Sequence, residues 1–134
     1  MIRARSGLLA GALLLVTACG GSPGDTVREA WQAREEENFE AYVQAFTERS
    51  GDLLRGIAST AERTRGSLSY MDPMKDLLPP GEIVIDRVDG ELGTVVVAAA
   101  QGEYEIQCVR ERGAWVIDAL TLQETWAPLR EATR

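Results

Sequence analysis

The chain has 134 residues, a formal charge of −7, 45% apolar residues and no histidine. This length suits a single domain, and the acidic balance argues against nucleic acid as a partner, because phosphate binding needs clustered Lys and Arg. Without histidine the Ser-His-Asp and Cys-His catalytic sets are excluded, and so is the commonest zinc ligand.

The chain opens with Arg3 and Arg5, an apolar run at 8–16 and then small residues, the layout of a secretory signal. The run is too short to span a bilayer, which takes roughly 20 apolar residues, and Gly20, Gly21 and Pro23 follow almost at once. Val16, Thr17, Ala18 and Cys19 resemble a bacterial lipobox. The resemblance implies that the Cys19 thiol receives a diacylglyceryl group, that cleavage falls just before it, and that the freed amine takes a further chain such as palmitate. Each buried methylene contributes about 0.8 kcal/mol and a stable anchor takes more than one chain, so an acylated Cys19 makes the lipid bilayer the first expected partner. Gly20 stands where enterobacterial inner-membrane lipoproteins carry an aspartate, which points to the periplasmic side of the outer membrane. The expected division is signal peptide 1–18, lipidated cysteine and flexible spacer 19–24, one domain 25–126 and a tail 127–134.

Loss of the leader takes Arg3 and Arg5 with it and moves the formal charge from −7 to −9. Cys108 is then the only free thiol, so an intramolecular disulfide is excluded even in an oxidising compartment. Its place in an apolar strand suits a small buried hydrophobe better than a reactive group.

Thr26 and Glu29 have the spacing of a capping box and predict the start of a first helix, with Val27, Ala30, Trp31 and Arg34 at helical spacing. Asn38 predicts the cap of a second, whose Phe39, Tyr42, Val43 and Phe46 form the clearest amphipathic stripe in the chain. Ser50, Gly51 and Asp52 read as punctuation, with Asp52 capping a third helix that carries Leu53, Leu54, Ile57, Ala58 and Ala61 and ends at Gly66. The stretch 67–81 reads as a connection, with one turn of helix near Met74 and Leu78.

Strands are predicted at 82–88, 93–100, 103–110 and 114–122, separated by Asp89-Gly90, Gln101-Gly102 and Arg112-Gly113. Such close spacing favours an antiparallel meander. In the third, Tyr104, Ile106 and Cys108 alternate with Glu103, Glu105 and Gln107, so one face is wet. The fourth is apolar on both faces, with Trp115 and Ile117 opposite Val116 and Leu120, which suits a central or covered strand.

Helices followed by strands imply an α+β fold, with N-terminal helices packed on a curved antiparallel β-meander. A capped helix, the stretch NFEAYVQAF at 38–46 and a meander closing on Gly113, Trp115, Ile117 and Asp118 together resemble small exported lipoproteins with a nuclear transport factor 2-like (NTF2-like, cystatin-like) cone. The resemblance implies a concave space between helices and sheet. Trp31, Tyr42, Tyr104, Trp115 and Asp118 are its candidate lining, with Tyr70 and Asp86 as further polar candidates. In ketosteroid isomerases of that superfamily an aspartate base works beside a tyrosine and a protonated aspartate, but no residue here matches that enzyme motif.

Asp118, within an apolar strand, would have a raised pKa if buried, although alternation puts it opposite Trp115. Glu35, Glu36 and Glu37 diverge by about 100° per residue and read as a solvated helix end rather than metal ligands. P-loop, HExxH, GxSxG and CxxC patterns are missing, so no cofactor or metal is expected. The expected function is a membrane-tethered binding or interaction domain for a small apolar ligand or an envelope protein. The alternatives are an isomerase or dehydratase with an Asp and Tyr pair in the cone, and a homodimer packing through the fourth strand.

Overall fold

A computed structural model describes residues 21–65 and 77–122. The leader, Cys19, the connection 66–76 with Tyr70 and Met74, and the tail 123–134 lie outside the described residues. In chain order the elements are α1 (Pro23–Glu35), α2 (Phe39–Gln44), α3 (Glu48–Arg65), β1 (Gly81–Asp89), β2 (Leu92–Ala99), β3 (Gly102–Glu111), β4 (Ala114–Ile117) and a 3₁₀ turn at Ala119–Thr121. The fold is α+β: three helices pack against a four-stranded antiparallel sheet in the order β1-β2-β3-β4.

α1 begins earlier than Thr26 predicts. Ser22 is its cap, accepting from the Asp25 N–H at 3.2 Å while Asp25 accepts from the Ser22 N–H at 3.1 Å, and Pro23 fills the first helical position. Ser22, Pro23 and Gly24 therefore belong to the domain rather than to a flexible spacer, and Pro23 and Gly24 are buried. The Thr26 hydroxyl is committed elsewhere, donating to the Trp115 carbonyl at 3.0 Å inside the domain.

Asn38 caps α2 as expected, accepting from the Ala41 N–H at 3.2 Å. The helix then stops short of Phe46. Ile117 donates to the Ala45 carbonyl at 2.8 Å and accepts from the Thr47 N–H at 2.9 Å, so Phe46 pairs in parallel with Ile117. This places β4 between β3 and the 45–47 segment, and it explains an apolar strand on both faces: Trp115, Val116 and Ile117 are all buried.

α3 starts at Glu48, five positions before the Leu53 that would follow a cap at Asp52. The Thr47 hydroxyl accepts from the Ser50 N–H at 3.0 Å and starts the helix there. Gly51 lies inside the helix because α2 passes close by: a Cβ at this position would sit 3.0 Å from Val43 Cγ1.

The strands form where β-branched residues cluster, joined by two-residue loops. Arg112 and Gly113 both have positive φ, 53° and 78°, the pattern of a type I′ hairpin turn. Register places Tyr104, Ile106 and Cys108 with Val97, Val95 and Gly93 on the helix-facing side of the sheet, and Glu103, Glu105 and Gln107 on the other. β4 is shorter than predicted: it ends at Ile117, and Leu120, expected on a strand face, lies 45% exposed in the 3₁₀ turn. The core is a single cluster that includes Tyr42, Phe46, Leu54, Leu78, Val97 and Ile106.

Candidate functional site

The proposed lining residues separate into two ends of the domain. Trp115 lies at the end where α1 begins. Its ring sits beneath the Arg110 guanidinium, 4.6 Å from carbon to centroid, and Pro23 packs beside it over Gly93. A Cβ on Gly93 would approach Pro23 Cγ to 2.5 Å and Trp115 Cζ3 to 3.2 Å, so only glycine allows this contact.

Asp86 completes the docking from β1. Its carboxylate accepts from the Ser22 hydroxyl at 2.7 Å and the Gly24 N–H at 3.1 Å, a negative charge on the first turn of α1. Gly24 leaves space for it, since a Cβ there would lie 2.4 Å from Asp86 Oδ2. Asp86, a polar pocket candidate from sequence, is therefore a clamp on a helix end.

Asp118 is likewise a capping residue. Its carboxylate accepts from the Leu120 N–H at 3.1 Å and its carbonyl from the Thr121 hydroxyl at 2.8 Å. Its backbone is still extended and its N–H donates to the Gln107 carbonyl of β3 at 2.9 Å, so alternation holds through Asp118 and sets it opposite Trp115 and Ile117, half-buried, with its carboxylate engaged by the following turn.

Trp31, Tyr42 and Tyr104 gather at the opposite end. Tyr104 stands six positions along β3 from Arg110, the cross-strand neighbour of Trp115, or about 20 Å at 3.3 Å per residue. Trp31 donates to the Leu78 carbonyl at 3.1 Å, and the Tyr104 hydroxyl donates to the carbonyl of Pro79 next along the chain. Tyr42 is fully buried, with its ring 5.1 Å from that of Phe46. Among the described residues its hydroxyl has no hydrogen-bond partner.

Burial pushes both tyrosine hydroxyls well above their usual range, with the nearby Arg34 charge opposing the shift in each case. The Trp31 indole also opposes it for Tyr104. Arg34 follows Val27, Ala30 and Trp31 on the core-facing stripe of α1, and the described residues offer its guanidinium no carboxylate partner. A cation on an otherwise apolar stripe was the sequence signal for this residue, and composition alone did not single it out. The chemistry is that of hydrogen-bond donation: two donors are matched to carbonyls, while among the described residues Tyr42 has no acceptor and Arg34 no carboxylate.

Cys108 faces the core, fully buried, and burial pushes its thiol up to about 12, with Asp86 adding to the shift. At neutral pH it is a protonated, inert side chain. Among the described residues no set of His, Cys, Asp and Glu could hold a metal ion, and no helix is long and apolar enough to cross a membrane.

The fold and its ends define an α+β domain with helices on one face of an antiparallel meander, a clamped helix start and a donor-rich opposite end. Compared with family models, with curated proteins and with solved structures, the chain matches none.

Proposed function

We propose that this is an exported lipoprotein, anchored through acylated Cys19 on the periplasmic side of the outer membrane, whose NTF2-like (cystatin-like) cone binds a small, largely apolar ligand without transforming it. The observation that carries the binding reading is the Tyr42 hydroxyl, buried and unpartnered beside the Arg34 charge. A buried hydroxyl with no partner costs about 1–3 kcal/mol, and a ligand oxygen at this point would remove that cost. Trp31 and Tyr104, next to it, supply aromatic surface for an apolar body.

Two observations favour this reading over its alternatives. An isomerase or dehydratase needs a carboxylate facing a tyrosine, whereas Asp86 and Asp118 both cap backbone amides. A homodimer packed through β4 needs that strand uncovered, whereas Val116 is 9% exposed within one chain. An envelope protein as the bound partner is the remaining form of the binding reading.

The test is purification of the native protein from membranes, with mass analysis of the N-terminal peptide and of co-eluting small molecules. The expected result is an acylated Cys19 and an apolar molecule that is lost from Tyr42→Phe. An intact leader on a cytosolic chain removes the anchoring reading, and an empty protein whose Tyr42→Phe variant behaves identically removes the ligand.

A further inference from the structure

The clamp on the start of α1 has a consequence for how the domain stands on a surface. Ser22 is fixed by the Asp86 carboxylate and Pro23 by Gly93 and Trp115, so the start of α1 cannot swing away from the sheet. Both the β1–β2 loop at Gly90 and Glu91 and the β3–β4 loop at Arg112 and Gly113 lie at this end, because alternate turns of a meander share one end. The β2–β3 loop with Gln101 lies at the other, with the start of β1 and the Trp31 and Tyr104 cluster.

Only three residue steps separate Cys19 from Ser22, at most about 10 Å of extended chain. The headgroup layer of one leaflet is about 6 Å deep. Hardly any slack remains, while the 13 residues of α1 carry the chain about 20 Å toward the far end.

We infer that the end carrying the two loop tips, Gly90-Glu91 and Arg112-Gly113, rests against the bilayer surface and that the Trp31, Tyr42 and Tyr104 end opens away from it. This rests on the acylation of Cys19 proposed above. Val88 and Leu92, 49% and 41% exposed beside the first tip, supply apolar surface at that end. Asp89 and Glu91 on the same hairpin are too costly to enter hydrocarbon, so the tips stop among the headgroups.

The full-length, membrane-purified protein tests this with single substitutions Glu91→Cys and Gln101→Cys, each labelled with a fluorophore. Cys108 is buried and Cys19 acylated, which leaves one reactive thiol in each variant. In phosphatidylcholine vesicles containing headgroup-spin-labelled lipid, quenching should be several-fold stronger at 91 than at 101, and Arg112→Cys should follow 91. A flexible Gly-Ser insertion after Gly21 should abolish the difference. Equal or reversed quenching on protein whose N-terminal mass shows acylation overturns the orientation and leaves the anchor standing, as does a difference that survives the insertion. A mass without acyl chains overturns both.

Discussion

The two ends of α1 present opposite polar situations. At its start each polar group that packs against the sheet is matched: Ser22 and Gly24 with Asp86, Thr26 with the Trp115 carbonyl. At its far end, among the described residues, Trp31 and Tyr104 are matched to carbonyls and Tyr42 is matched to nothing. A satisfied polar cluster holds a fold together; an unsatisfied one in a buried place has a function or a cost. The comparison separates architecture from candidate chemistry more sharply than residue type does, since tryptophans and acidic residues occur in both regions.

The strongest way to break the clamped end is Gly93→Val. Pro23 is rigid and backbone-anchored, so the new side chain cannot be accommodated without lifting α1, and urea denaturation should show a loss of about 3 kcal/mol. Asp86→Ala removes two hydrogen bonds and a charge from the helix start, with an expected loss of about 2 kcal/mol by the same measurement.

At the other end the two tyrosines should respond with opposite signs. Tyr104→Phe loses the bond to Pro79 and should cost about 1 kcal/mol, whereas Tyr42→Phe removes an unmatched hydroxyl and should stabilise the ligand-free protein by about 1 kcal/mol. Thermal melts of the pair decide this; destabilisation by both would mean that Tyr42 has a partner and that the two ends do not differ.

The smallest effect is expected from Cys108. Its folded value of about 12 lies above its ordinary 9.0, so the folded state keeps a proton that the unfolded chain gives up. The corresponding stability is present below pH 9.0 and lost as pH rises toward 12, in the same direction as the buried tyrosines. Urea midpoints across that range should fall, and iodoacetamide at pH 8 should label Cys108 only after unfolding.

Much of the fold was legible along the chain because it depends on local periodicity. Asn38 as a cap, the alternation of Tyr104, Ile106 and Cys108, and the three hairpin turns need only neighbouring residues to be recognised. Ser50-Gly51-Asp52 misled because Gly51 serves a close helix contact rather than a break, and Phe46 left the helical stripe because Ile117 pairs with its backbone. The Ser-Pro-Gly-Asp run at 22–25 carried a readable capping signal that Thr26 obscured. The lipobox reading concerns residues outside those described.

By itself the sequence determined the class: an acidic chain without histidine, helices then strands, with one thiol hidden in the sheet. Periodicity and turn chemistry act over a few residues and need no partner. Only the tertiary structure decided that Asp86 caps the start of α1, that Trp115 stands apart from Trp31, Tyr42 and Tyr104, and that Tyr42 is left unmatched among the described residues. Those outcomes depend on which groups meet across 60 or more residues of chain, as Gly24 meets Asp86 and Thr26 meets Trp115, and local pattern carries no record of such meetings.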